Sequence, residues 1–104
     1  MIVTNTEEVV GKEIVASFGI VSGSTVRAKH AGRDIMAGFK NIIGGELKGY
    51  TELLSEARDQ AMSRMMDEAK DLGANAIVNV RFSTSSVTAG ASEIYIYGTA
   101  VTVE

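Results

Sequence analysis

Residues 50–72 carry the clearest hydrophobic pattern in the chain. Leu53, Leu54, Ala57, Ala61, Met62, Met65, Ala69 and Leu72 recur at helical spacing, the stripe of an amphipathic helix. Thr51 suits the N-cap, and Glu52 and Glu56 follow where the helix dipole favours carboxylates. Lys70 lies near the other end, and Gly73 offers the left-handed residue that closes a helix. At ~1.5 Å per residue such a helix is about 34 Å long, enough to cross a whole face of a small domain. A shorter stripe of Ile35, Met36, Phe39, Ile42 and Ile43 predicts a second helix over residues 32–43. Asp34 falls in its first turn, and Gly44 and Gly45 stop it.

Elsewhere the period falls to two. Residues 13–28 alternate Ile14, Ala16, Phe18 and Ile20 with Val15, Ser17, Gly19 and Val21, apolar on both sides. This predicts a first strand, bent or bulged at Ser22, Gly23 and Ser24, or else a hairpin. Residues 1–5 are a candidate short strand. Residues 76–83 place Ala76, Val78, Val80 and Phe82 on one face and Ile77, Asn79, Arg81 and Ser83 on the other. Residues 92–103 place Ile94, Ile96, Gly98, Ala100 and Thr102 against Glu93, Tyr95, Tyr97, Thr99, Val101 and Val103. The polar stretch 84–91 between them reads as a hairpin loop. The expected fold is α+β, in the order β-α-α-β-β. A mostly antiparallel sheet carries one short and one long helix on one face. Its other face still presents Tyr and Val, which calls for a neighbouring subunit.

Length and composition sharpen this. One domain spans residues 1–104. Hydrophobic residues are 45%, and the 11 Gly raise the apolar share to about 56%, above the usual 45–50%. A small domain buries only about two-thirds of its surface, so the excess points to a second copy of the chain as partner. No run of 18 apolar residues is present, and Glu7, Glu8, Lys12 and Glu13 precede the first apolar run. These features predict a cytoplasmic protein with no membrane partner. A net charge of −3 argues against nucleic acid. With no Cys and one His, thiol chemistry, zinc ribbons and iron–sulfur sites are excluded. No G-x-S-x-G elbow, Walker loop or G-x-G-x-x-G occurs, so no catalytic residue, resident metal ligand or cofactor is expected.

Three clusters remain. Arg27, Lys29, His30 and Arg33 fall where a strand meets a predicted helix start. They read as a solvated loop or, for Arg27, Lys29 and Arg33, as an anion site. The first 49 residues hold six basic and five acidic side chains; the rest hold four and eight. Glu52, Glu56, Asp59, Asp67, Glu68 and Asp71 form a charged helix face, read as solvated. Met62, Met65 and Met66 could offer soft-metal thioethers, but Met at helical spacing is ordinary core filler. Glu46, Tyr50, Arg58 and Asn75 are either a polar clasp between helix ends and strand starts or a small-ligand pocket at a subunit boundary.

The runs GGELKGYTELLSEARDQA (residues 44–61) and LGANAIVNVRF (residues 72–82) resemble the YbjQ-like family of small bacterial proteins, which carries a heavy-metal-binding label. The opening strand and residues 32–45 fit as well, so the resemblance covers nearly the whole chain. It implies a subunit similar in architecture to dodecin-like proteins, assembled as a ring, a homopentamer. It brings no residue role. Soft metals want thiolates or several imidazoles, which this chain could offer only by gathering His30 from several copies around an axis. The readings stand as a non-catalytic binding or scaffolding oligomer, a metal site across subunits, or an enzyme or sensor for a phosphorylated or flavin-like molecule at the boundary.

Overall fold

The computed structural model describes residues 1–28, 48–88 and 91–104. Their elements are β1 (Ile2–Val3), β2 (Ile14–Ala28), α1 (Lys48–Asp71), β3 (Ala76–Thr88) and β4 (Ala91–Val103). The four strands form one sheet in the order β1-β3-β4-β2. β4 pairs antiparallel with both β2 and β3, whereas β1 runs parallel to β3.

This corrects the expected β-α-α-β-β layout. The described elements run β-β-α-β-β, with one helix among the described residues and a mixed sheet. The short helix expected over residues 32–43 lies outside the described residues. The parallel pair arises because the chain's start is laid along the outer edge of β3, with Thr4 N donating to Ile77 O at 2.9 Å. Two residues of strand carry no periodicity from which such pairing could be read.

The long helix begins at Lys48, so Thr51 lies inside its first turn rather than at the N-cap. It ends in a Schellman motif. Gly73, at φ 90°, donates to Lys70 O at 3.0 Å, and Ala74 donates to Ala69 O at 3.1 Å. The buried stripe is narrow: Ala57, Ala61, Met65 and Ala69, spaced by four, are fully buried. Leu54, Met62 and Met66 pack partly against the same core, which Val21, Ile77, Val80, Ile94, Ile96 and Ala100 complete. Small side chains let the helix backbone approach the sheet closely. At Gly23 a Cβ would sit only 2.6 Å from Met65 N and would also meet Ala61 O, so glycine permits this packing.

The strands contain irregularities that period-two reading places wrongly. β2 is bulged between Ile14 and Ala16 and between Ser17 and Gly19, not at residues 22–24. In β3 an extra residue lies between Val78 and Arg81, where Asn79 adopts φ 54°. Such a bulge flips the alternation beyond it. Val78 therefore joins Ala76, Val101 and Val103 in a small second core on the far face, with Val9 packed on it, while Val80 turns towards the helix. The β3 and β4 strands also run further than the expected hairpin loop, through Thr88 and from Ala91. No helix of the described residues is long and apolar enough to cross a membrane.

Candidate functional site

The described polar residues among those singled out in the sequence lie at different ends of the fold. Asn75, between α1 and β3, acts as one more rung of the sheet. Its Nδ2 donates to Val103 O at 3.0 Å, and Val103 N donates to its Oδ1 at 2.8 Å. Its backbone N–H donates to Val101 O at 3.1 Å, and Ile2 N donates to its carbonyl at 3.3 Å. The sequence supplies this position because Asn75 lies two residues after the Gly73 helix stop.

Arg58 is exposed on α1, and its Nε donates to Leu54 O one turn back at 3.3 Å. Tyr50 lies in the helix's first turn. Tyr50 and Asn75 are thus at opposite ends of a helix about 36 Å long. One subunit does not bring them together, and Glu46 lies outside the described residues. Arg27 sits near the end of β2, paired in register with Ser92, at the opposite end of the sheet from Asn75. Lys29, His30 and Arg33 lie outside the described residues. Glu52, Glu56, Asp59, Asp67, Glu68 and Asp71 are all exposed. Met65 is core, and Met62 and Met66 flank it.

Four features had no sequence signal beyond residue type. Arg64 Nη1 donates to Ser24 O at 2.6 Å, reaching from helix to β2. Arg81 Nη1 donates to Asn5 O at 2.9 Å and to Val80 O at 3.0 Å, holding the N-terminal segment beside the Asn79 bulge. The rings of Tyr95 and Tyr97 stack on the far face with centroids 5.6 Å apart. Their register neighbours are Ser24 and Ser22 on one side and Ser83 and Arg81 on the other. Fourth, the Thr25 hydroxyl, in a residue only 3% exposed, is buried without a hydrogen-bond partner among the described residues. An orphan of this kind costs stability.

Chemically, this arrangement offers surface rather than a charged cleft. Among the described residues no three His, Asp or Glu side chains are grouped to hold a metal ion. The far face offers stacked tyrosines, serine hydroxyls and apolar residues at its margin: Ile20 is 76% exposed and Val26 55%. Such a mixture suits contact with another polypeptide.

Comparison with known proteins agrees along the full length. A family model described as "Putative heavy-metal-binding" matches residues 1–104. A UPF0145 protein of Hahella chejuensis is 62% identical over 104 residues, covering all of both chains. One from Dehalococcoides mccartyi is 58% identical over the same span, again covering both completely. A third, from Halorubrum lacusprofundi, is 56% identical over 101 residues and 97% of each chain. The fold also resembles a crystal structure from Pediococcus pentosaceus, of a protein with unknown function in the DUF74 family. That likeness has a TM-score of 0.67 at 15% identity and covers 100% of this chain and 98% of the other. The chain belongs to the YbjQ-like, UPF0145 family.

Proposed function

We propose that this chain is a non-catalytic, homo-oligomeric binding or scaffolding protein, built as a ring of five identical subunits. Any small ligand would be held where subunits meet. The observation that carries this reading is apolar exposure on the open strands of the sheet. Ile20, Val26 and Phe82, all large and apolar, lie open on the strands. Apolar exposure of this kind is removed by association. The subunit count of five rests on the resemblance to the YbjQ-like family.

The family description also names heavy metals. The donors do not fit that reading. Soft ions take thiolates or several imidazoles, and this chain has no Cys and a single His. Among the described residues no acidic or histidine group substitutes for them.

Native mass spectrometry on untagged protein tests the proposal. A discrete species near 55 kDa, five times the chain mass, is the expected result. A reproducible added mass would make the ring a binding protein, and a bare ring a scaffold. A monomer at micromolar concentration would overturn the proposal.

A further inference from the structure

Two strand edges on opposite sides of the sheet have no strand partner among the described residues. One is the outer edge of β2. The other is β3 beyond Val80, because the N-terminal segment pairs only with its first half, ending at the bond from Val80 N to Thr4 O.

The backbone groups available there can be named. Arg64 takes the Ser24 carbonyl from outside the β2·β4 ladder, so Ser24 turns its backbone groups away from β4. Residues of an antiparallel strand alternate between facing the partner and facing away. Register is unbroken from Gly19 to Ala28, so Ile20, Ser22 and Val26 also face outward. Gly23 and Thr25 then bond to Ile96 and Ile94, which leaves Phe82 and Thr84, opposite those residues on β3, facing outward as well. Arg64 closes one carbonyl of the β2 edge. Among the described residues the groups flanking it have no strand partner, and they lie beside side chains that are 76% exposed at Ile20 and 55% at Val26; Phe82 on the other edge is 49% exposed.

Resting on the self-assembly reading above, we infer that these two edges meet: the outer edge of β2 in one copy pairs with the outer half of β3 in the next. The occupant is a second copy because one chain carries both halves of the contact, on opposite sides, which is the condition for a repeating head-to-tail interface. A stable interface takes about 800 Å² from each partner, so a copy paired at both edges gives up about 1,600 Å². Within a chain β2 and β3 run in the same direction, each antiparallel to β4. A copy added with its helix on the same side of the sheet therefore brings β3 alongside β2 in parallel. The sheet continues from copy to copy and its exposed edges disappear.

The chain has no Cys, so introduced thiols report cleanly. Ser22, Ser83 and Ser85 share the far face. Within one subunit β2 and β3 are separated by β4, about 10 Å apart, beyond the reach of a disulfide. Oxidised S22C/S83C or S22C/S85C should form ladders of disulfide-linked chains, while S22C, S83C and S85C alone form none. Val26→Pro, which removes an outward N–H and spares the β2·β4 ladder, should keep its circular dichroism and shift the native mass to monomer. A native oligomer that gives no ladder with either pair, and persists in Val26→Pro, overturns the edge pairing and leaves the oligomer standing. Disulfide dimers of S22C alone would also overturn it, since they require β2 to meet β2. A wild-type monomer overturns the self-assembly reading and this inference with it.

Discussion

The two halves of β3 belong to one strand and have opposite surroundings. From Ala76 to Val80 every residue is buried except Asn79, which is half-buried; from Arg81 to Ser86 every residue is exposed. The first half has a partner on every side. The N-terminal segment lines its edge, the helix core takes Ile77 and Val80, and Val9, Val101 and Val103 gather about Ala76 and Val78. Among the described residues the second half has β4 as its only strand partner. Strand burial is therefore set by what lies over it, and β3 shows both outcomes within 13 residues.

The sharpest way to break the covered half is Ile77→Ala. Ile77 is fully buried in the main core, and truncating such a residue costs about 2–5 kcal/mol. Urea unfolding monitored by circular dichroism should show a large drop in midpoint at unchanged slope. Asn75→Ala comes next. It removes both bonds to Val103 and orphans backbone groups at the corner where β3 begins, at a cost of about 1–3 kcal/mol. Hydrogen exchange should show lost protection at the Val103 amide, with protection in the centre of α1 retained. Phe82→Ala marks the small end of the scale. It removes a larger side chain than Ile77→Ala, yet in a dissociated subunit its effect should stay at about 1 kcal/mol, roughly half of what full burial of a Phe is worth, because Phe82 is half exposed. A large cost that grows with protein concentration would instead show the open half buried by association.

The same contrast explains what could be read from the residues. The long helix, its Gly73 stop and the alternation of β4 were legible because each depends on local periodicity or on one residue's backbone preference. The faces of β3 were not. Their alternation breaks at Asn79, whose left-handed conformation is stabilised in a bulge that the N-terminal segment completes through Thr6 O. Asn tolerates that conformation, but tolerance does not announce use. The polar set was legible as a list of residues and not as a place. Asn75 is tied into the β3–β4 corner, while Tyr50 and Arg58 lie towards the other end of the helix.

By itself the sequence determined the α+β class, the long amphipathic helix, the absence of thiol chemistry and, through its long matched runs, the family. Each of these follows from composition or from short-range pattern, which act along the chain. Tertiary structure alone decided that β1 lies parallel on the edge of β3, that Val78 and Val80 face opposite layers, and that Gly23 lies beneath the helix. Those outcomes depend on contacts between segments tens of residues apart, where the position of one backbone fixes which groups of another are covered and which are left open.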